Sequence, residues 1–296
     1  MNRNKTITIG IAAHNEEKNI FNLIYSVLGQ KLNSTSIEKI IIVSDGSTDK
    51  TVEEVKKIKD KRILLINKQR EGKGVALDII CNESQSNILV LFDGDIVIKD
   101  KHYLEKLIRP LAQDNIDLTS GIVREIPSKS IFSKIIASSM ALKKDIYSQI
   151  NHGNNIYTCH GRNRALSKKL YKKLEFRKYI ADDAYSYLFA LKNGYKYHYI
   201  PNASVYYKVP THLADHLKQS YRFIATRNQF DEEFGEAFVK KAYSIPKALL
   251  IKNYLIHIVR NPFPIISYSF IMLWSSITSQ YNDISYQWSI AGSSKK

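Results

Sequence analysis

The stretch Asn87-Ile88-Leu89-Val90-Leu91-Phe92-Asp93-Gly94-Asp95 places two carboxylates directly after a compact apolar run. A short apolar run of this kind, bounded by Gly and Asp, is typical of a buried parallel strand. Carboxylates separated by one residue supply the oxygen ligands that Mg²⁺ and Mn²⁺ prefer. The stretch therefore predicts a strand followed by a divalent-metal site, although a simple polar turn also favours Asp and Gly.

Strands and helices alternate on either side of this stretch. Apolar runs predict strands, and a spacing of three to four residues between apolar positions predicts the helices between them. The predicted strands are Lys5–Ala13, Ile37–Val43, Ile63–Ile66 and Ile88–Phe92, and the predicted helices are Glu16–Leu28, Thr51–Lys59 and Gly72–Cys81. This alternation indicates a parallel sheet covered by helices, in which ligands bind beyond the carboxyl ends of the strands. Three polar clusters fall at those ends: His14–Glu16, Ser44–Asp49 and Asp93–Asp95.

Two of these clusters, and the loop that opens the third predicted helix, can each contact part of a nucleotide. Asp45 can accept a hydrogen bond from the donor edge of a nucleobase, with Glu16 sharing that pocket. The alternative for this segment is a helix N-cap, since Ser47, Thr48 and Asp49 are all good capping types. Gly72-Lys73-Gly74 opens a helix, where backbone N–H groups can approach a phosphate and Lys73 adds a positive charge.

Composition bounds the class of protein. The chain has 296 residues, of which 44% are hydrophobic, and this is enough for one large folded domain or two small ones. Cys81 and Cys159 lie far apart without metal-ligand spacing, so we expect no disulfide framework, no zinc site and a reducing compartment. The N-terminal segment is unlike a cleaved signal peptide, which predicts a cytoplasmic protein. The net charge of +16 favours anionic partners such as a nucleotide, an acidic membrane leaflet or nucleic acid.

Taken together and in order, these motifs resemble the nucleotide-binding half of family 2 glycosyltransferases, which are inverting enzymes that use sugar nucleotides. The similarity lies in Ala13-His14-Asn15-Glu16, Val43–Asp49, Gly72-Lys73-Gly74 and Asp93-Gly94-Asp95. It continues with Asp182-Asp183, which is similar to the family's Glu-Asp segment, and with Gln219–Phe223, which resembles the family's Gln-x-x-Arg-Trp motif. The chain departs from the family at Ser44, where Asp is frequent, at Phe223, where Trp is usual, and at Asp182, where Glu is usual.

The resemblance implies an α/β protein with the GT-A fold, in which a mainly parallel central sheet is flanked by helices and followed by a C-terminal helical extension. We expect residues 1–230 to form the catalytic domain. Residues 1–122 would be its nucleotide-sugar-binding half and residues 123–230 its acceptor-binding half. The extension would then comprise residues 231–296.

The resemblance also implies roles for individual residues. Asp183 would be the general base, and Asp95 with Asp93 would hold Mg²⁺ or Mn²⁺. The donor-binding residues would be Ala13, Glu16, Asp45, Lys73, Asp93, Gly94 and Arg222. The acceptor-binding residues would be Asp182, Gln219, Phe223 and His160. Two alternatives stay open: the helix around Arg222 can be core with a surface charge, and the strip of His160, Arg162 and Arg164 can be a solvated helix start.

The expected reaction is the transfer of a hexosyl or N-acetylhexosaminyl group, with inversion, from a UDP-sugar to a hydroxyl of a glycan or lipid-linked acceptor. A sugar-nucleotide nucleotidyltransferase could share this sheet and metal site. However, it would carry a glycine-rich loop after the first strand, and Ala12–Glu17 has no glycine. A nucleic-acid-binding protein would use the positive charge, but the carboxylate cluster would repel phosphates and no binding motif is present. We therefore expect no nucleic-acid partner.

The C-terminal segment differs in character from the rest of the chain. Ile245–Arg260 mixes apolar and basic residues, and Asn261–Asn282 contains no formal charge. Pro262 and Pro264 argue against a helix that crosses a bilayer, so we expect a pair of helices at the membrane interface, with Trp274 and Trp288 as anchors. This would place the protein peripherally on the cytoplasmic face of the membrane. The alternative is a helix pair that packs on the catalytic domain.

Overall fold

The structure is a computed structural model of the chain. It describes residues 5–33, 35–113, 115–126, 130–209, 212–213 and 229–278, with side chains as far as residue 274. The chain divides into two compact units. The first comprises Met1–Arg124 and Cys159–Tyr207, and the second comprises Glu125–Thr158 and Lys208–Ser294. The predicted boundary at residues 230 and 231 stays a prediction.

A seven-stranded sheet organises the first unit, in the order β3-β2-β1-β4-β6-β5-β7. Its strands are β1 Lys5–Ala13, β2 Thr35–Asp45, β3 Ile63–Lys68, β4 Ile88–Asp93, β5 Leu118–Ile126, β6 Asn163–Ser167 and β7 Tyr197–Lys208. The pairs β1–β2, β1–β4 and β2–β3 are parallel, whereas β6 pairs antiparallel with both β4 and β5. The predicted mainly parallel sheet flanked by helices is confirmed.

The helices of this unit are α1 Ile20–Leu28, α2 Thr51–Lys56, α3 Lys73–Glu83, α4 Tyr103–Ala112, the single turn α6 Lys168–Tyr171, and α7 Asp182–Lys192. Strand β1 is buried from Ile7 to Ala13, because β2 and β4 pair with it along both edges and helices cover its faces. A side chain at Gly10 would meet Ile80 of α3 at 2.3 Å, so the glycine lets α3 lie close to the sheet. This packing holds α3, whose first residue is Lys73, close to the sheet.

Helix α1 begins at Ile20, four residues later than the predicted start at Glu16. The Glu16 N–H donates to Thr51 Oγ1 at 2.7 Å, and the Glu17 N–H donates to Asp49 at 3.1 Å. These bonds join the segment to the residues that follow β2. Its backbone N–H groups therefore pair with side chains there instead of continuing helix α1 toward its N-terminus.

The second unit is helical over most of its described length. It contains α5 Ile131–Gln149, two short 3-10 helices at Ile150–Gly153 and Ile156–Thr158, α8 Glu236–Ala242, α9 Lys247–Arg260 and α10 Pro262–Thr278. Leu142, Ile146 and Ile265 form a buried cluster against which Leu249, Tyr254 and Ile258 of α9 pack. Within the described segments, no helix combines the length and apolar character needed to cross a membrane.

Candidate active site

The ends of three strands are aligned at one edge of the sheet. The register pairs Ala12 of β1 with Val43 of β2 on one side and with Asp93 of β4 on the other. Asp45 ends β2 two residues later, beside Lys68 of β3. The three polar clusters therefore emerge at the same edge, as the sequence predicts for a parallel sheet.

Glu16 and Gly94 touch each other at this edge. A Cβ atom added to Gly94 would lie 2.7 Å from Glu16 Cγ, so Gly94 makes room for the glutamate. Glu16 is buried, and its Oε2 accepts a hydrogen bond from Asn19 at 2.9 Å. The turn after β1 and the turn after β4 thus contact each other, and the buried Ala13 ends β1 three residues before Glu16.

Asp45 is completely buried and holds the loop that precedes α3. Its Oδ1 accepts the Glu71 N–H at 2.8 Å, and its Oδ2 accepts the Gly72 N–H at 2.9 Å. The following Gly46 has φ 63° and lies against Arg70, which suits a residue without a side chain. The expected nucleobase contact of Asp45 stays a prediction. In the structure, this carboxylate anchors the loop that leads to Lys73.

Lys73 connects the metal-site candidate to the Asp182-Asp183 segment. Its Nζ lies 2.6 Å from Asp93 Oδ1 and 3.1 Å from Asp182 Oδ1. Burial opposes the charge of the ammonium, but Asp182 and Asp93 outweigh it and raise the pKa of Lys73. Burial raises the pKa of Asp93, although the charge of Lys73 opposes that shift. The lysine expected to contact phosphate is therefore paired with two carboxylates in this structure.

Asp95 lies beside Arg162. Its Oδ2 is 3.9 Å from Arg162 Nη2, and the Arg162 guanidinium stacks 4.0 Å from the centre of the Tyr207 ring. Asp95 Oδ1 is buried and has no hydrogen-bond partner within the described residues. A buried carboxylate oxygen without a partner is costly unless another group binds it. Asp95 Oδ1 is therefore a candidate metal-ligand atom.

Asp182 is held by two cations. Its Oδ2 accepts a hydrogen bond from Arg164 Nη2, while its Oδ1 faces Lys73. Burial raises the pKa of the Asp182 carboxyl, but Lys73 and Arg164 overcome that effect and lower it to about 2. Arg164 Nη1 also donates to Ser186 at 3.0 Å. Asp182 is thus a fixed ionised group, and its expected contact with the acceptor stays a prediction.

The surroundings of Arg164 correct one interpretation of the sequence. The alternative of a solvated helix start for His160, Arg162 and Arg164 is wrong at Arg164, which lies in β6 and is completely buried. Two neighbours explain this position, since Asp182 neutralises the guanidinium and Phe176 lies under it. His160 is half-buried next to Gly161, and its backbone N–H donates to Ser120 Oγ at 3.0 Å.

Asp183 stands at the first turn of α7, next to this network. Its Oδ2 accepts the Gly161 N–H at 3.1 Å, and its Oδ1 accepts the Ala184 N–H at 2.9 Å. A Cβ atom added to Gly161 would lie 3.4 Å from both Asp183 Oδ2 and Lys73 Nζ. The structure therefore brings Asp183 to the same pocket as Lys73 and its partner Asp93.

Three predicted site residues, Gln219, Arg222 and Phe223, lie outside the described residues. Arg162 and Arg164 are not among the predicted site residues, yet each lies beside a carboxylate of the site. Arg164 followed by Ala165 and Leu166 was the available signal, because an unpaired arginine is rarely placed on a buried strand.

A divalent cation fits the donor set at this edge. Among the described residues, no group of three or more His, Cys, Asp or Glu side chains could hold a metal. Mg²⁺ and Mn²⁺ sites in phosphate enzymes commonly use one or two carboxylates, with substrate phosphates and water completing the shell. Asp95, whose Oδ1 has no hydrogen-bond partner among the described residues, and Asp93 supply that number.

Comparisons with solved structures identify the fold. The fold is the GT-A glycosyltransferase fold. The mannosyltransferase of Pyrobaculum calidifontis, solved with GDP-Man and Mn²⁺, superposes with a TM-score of 0.61 at 16% identity, over 95% of this chain and 77% of that chain. A mycobacterial protein superposes with a TM-score of 0.54 at 18% identity, over 78% of this chain and 75% of that chain.

Sequence comparison defines the family. The model of glycosyl transferase family 2 matches residues 8–175, which is more than half of the chain, and the chain belongs to this family. An uncharacterised glycosyltransferase of Haemophilus influenzae is 30% identical over 119 residues. The match covers 39% of this chain and 46% of that relative, so the chain spans about half the length of its curated relative.

Proposed function

We propose that the chain transfers a sugar, with inversion, from a nucleoside-diphosphate sugar to a hydroxyl of a glycan or lipid-linked acceptor. The observation that carries the proposal is the meeting of Asp183, Lys73 and Asp93 around Gly161. Carboxylates from the end of β4 and from the first turn of α7 converge there on Lys73 of α3, and the segment after β4 is the metal-site candidate. Family membership favours this reaction over nucleotidyl transfer or nucleic-acid binding.

Asp183 is the general base of the proposed reaction. Two backbone N–H groups orient its carboxylate, one at each oxygen. Each oxygen still has a lone pair that can accept a hydrogen bond from the acceptor hydroxyl. As the acceptor oxygen forms its bond to the anomeric carbon, its proton passes to Asp183 and the bond from that carbon to the diphosphate oxygen breaks. A single displacement of this kind inverts the anomeric configuration, by the geometric logic that separates inverting from retaining glycosidases.

Asp95 and Asp93 would hold Mg²⁺ or Mn²⁺, which supplies positive charge to the departing diphosphate. Lys73 is positioned to exchange part of its carboxylate pairing for a phosphate oxygen when the donor binds. Asp182 supports this exchange as a positioning residue, since its pairing with Arg164 keeps it in place without Lys73. Arg222 would contact the diphosphate, and Gln219, Phe223 and His160 would contact the acceptor.

The donor is proposed to be a UDP-sugar, with Asp45, Glu16, Ala13 and Gly94 forming the nucleoside pocket. GDP-Man is the competing donor, because the similar mannosyltransferase was solved with it. A panel of UDP-glucose, UDP-N-acetylglucosamine and GDP-Man distinguishes these donors. The purified chain with Mn²⁺ should release nucleoside diphosphate from one of them, and EDTA should abolish the release. Formation of nucleoside triphosphate from pyrophosphate instead would overturn the proposal.

Two substitutions separate the proposed roles. Asp183→Asn should lower the transfer rate by roughly 10²- to 10⁴-fold while donor binding stays near normal, because the base acts only on the acceptor. Asp95→Ala should weaken Mn²⁺-dependent donor binding itself, measured by calorimetry. Asp100→Asn is the matched control, since this carboxylate pairs with Lys106 outside the site. Near-normal transfer by Asp183→Asn would refute the assignment of the base.

A further inference from the structure

Helix α9 is unusual because it buries polar residues on the side packed against α5 and exposes apolar residues on its outer side. The residues buried against α5 include Asn253 and His257, which are only 5% and 6% exposed. Gln149 donates to Asn253 Oδ1 at 3.1 Å, and His257 Nε2 lies 2.8 Å from Asp145 Oδ2. A helix that meets water would normally turn its polar residues outward and its apolar residues toward the core.

The outer face of α9 shows the opposite polarity. Ile251, Leu255 and Val259 are spaced by four residues and therefore form one stripe along the helix. Leu255 is 57% exposed and Val259 is 83% exposed. Exposed apolar residues are ordinary when scattered singly, but a continuous stripe of them indicates an interaction surface.

Helix α10 carries a second stripe. Phe263, Ile266 and Phe270 follow one another at spacings of three and four residues, and all three are exposed. The opposite side of α10 contributes Ile265 to the buried cluster of this unit. Both helices thus have a packed side and an apolar outer side. We call these six exposed residues, Ile251, Leu255, Val259, Phe263, Ile266 and Phe270, the apolar stripes.

The formal charges on α9 and α10 themselves have one sign. Residues 237–282 contain no Asp or Glu, and their lysines and arginines are Lys240, Lys241, Lys247, Lys252 and Arg260. Lys247, Lys252 and Arg260 belong to α9 and are exposed beside its stripe. A second protein chain would need to match both the apolar residues and this charge. An anionic bilayer offers both at once, with acyl chains beneath a negative headgroup layer.

We propose that the apolar stripes and the cations beside them bind the surface of an anionic phospholipid bilayer. The stripes would enter the boundary between headgroups and acyl chains, while Lys247 and Lys252 would contact the phosphates. The polar contacts Asn253–Gln149 and His257–Asp145 lie on the protein side, where they join α9 to α5. This proposal does not rest on the glycosyltransferase reaction, because it needs neither donor nor base.

Vesicle sedimentation tests the proposal with the full chain. The probes are vesicles of phosphatidylcholine with about one quarter phosphatidylglycerol, and vesicles of phosphatidylcholine alone. A larger fraction of the protein should sediment with the anionic vesicles than with the neutral ones. The double variant Leu255→Glu/Val259→Glu should lower the partition coefficient on anionic vesicles by at least about tenfold, since it removes buried apolar area and adds like charge. Tyr25→Glu is the control, because Tyr25 is a 69% exposed aromatic residue on α1 of the other unit.

A second variant keeps the test decisive if the first misfolds. Lys247→Glu/Lys252→Glu leaves the stripes intact and should weaken binding to the anionic vesicles more than to the neutral ones. Failure of the unmodified chain to bind anionic vesicles would overturn the proposal, as would binding by both double variants that equals binding by the unmodified chain. A different result would assign the stripes to a second copy of the chain. In that case the unmodified chain would not bind vesicles, and it would form a dimer that Leu255→Glu/Val259→Glu dissociates. Asp183→Asn should bind vesicles normally, which separates this outcome from failure of the proposed reaction.

Discussion

The pair of Arg164 and Asp182 is the most deeply buried charge pair described at the site. Arg164→Met removes a guanidinium that is completely buried and leaves Asp182 with Lys73 as its charged partner. We expect the free energy of unfolding to fall by about 3 kcal/mol, because the remaining carboxylate loses part of its compensation. Urea unfolding followed by circular dichroism measures this loss.

A surface pair provides the control for this prediction. Lys39 and Glu83 lie 3.5 Å apart with both side chains partly exposed to solvent, so Lys39→Met should change stability by less than about 1 kcal/mol. The double variant Arg164→Met/Asp182→Asn should cost less than the sum of the two single variants, since neither charge is then left without its partner. Additive losses would show that the two side chains act independently.

The low pKa of Asp182 predicts a dependence of stability on pH. The carboxyl has a pKa of about 2 in the folded chain, against about 3.9 for Asp in an unfolded chain. A lowered folded pKa contributes stability that is complete above about pH 4 and is lost as the pH falls through about 2. Between pH 5 and pH 3, the unfolding free energy of the unmodified chain should therefore fall more than that of Asp182→Asn. Equal pH profiles for the two proteins would contradict the assigned shift.

Residue roles at this site were only partly accessible from the sequence. Asp93 and Asp95 follow directly from a buried strand that ends in polar residues, which is a local signal. The position of Arg164 depends on Asp182 in another element and on an antiparallel strand inserted beside β4. No local pattern specifies that pairing. The anchoring of Glu71 and Gly72 by Asp45 is hidden in the same way, because it joins segments 26 and 27 residues apart.

At the scale of elements, Gly74 determines how closely α3 approaches the segment before α7. A Cβ atom at this position would lie 2.5 Å from the carbonyl oxygen of Phe176, a backbone atom that cannot rotate away. Gly74→Ala should therefore destabilise the chain by about 1–3 kcal/mol and displace the neighbouring Lys73, which lowers donor binding. Unfolding curves and donor titrations measure the two effects.

Gly29→Ala is the comparison for this change. Gly29 has φ −83°, and its added Cβ atom would meet nothing closer than Tyr25 O at 3.6 Å. Gly29→Ala should change the free energy of unfolding by less than about 1 kcal/mol, and the change can be a slight rise. If both alanine variants behaved alike, close packing at Gly74 would not be the cause.

Element positions show why strands were easier to predict than helix starts. The predicted strand Lys5–Ala13 coincides with β1, because a run of β-branched residues with buried neighbours leaves little freedom. The predicted helix from Glu16 instead begins at Ile20, since its first residues bond to Thr51 and Asp49 across the strand ends. The helical spacing of apolar residues was correct, and the competing contacts were long-range.

At the scale of the whole molecule, ligand binding should stabilise the folded chain. A ligand at one hundred times its dissociation constant adds about 2.7 kcal/mol when it binds only the folded state. For a protein of this size, that corresponds to a rise in melting temperature of several degrees, on the order of 5 °C. Differential scanning fluorimetry with UDP and Mn²⁺ should show this rise, and EDTA should remove most of it.

Variants assign that stabilisation to the site. Asp95→Ala should melt at the same temperature with and without UDP and Mn²⁺, because it lacks the carboxylate whose Oδ1 is buried without a described partner. Asp183→Asn should keep the full shift, since its carboxylate is proposed to act on the acceptor. Leu255→Glu/Val259→Glu should also keep it, because α9 belongs to the other unit. A shift that survived in Asp95→Ala and vanished in Asp183→Asn would reverse the two assignments, and the metal would then have to be placed beside α7.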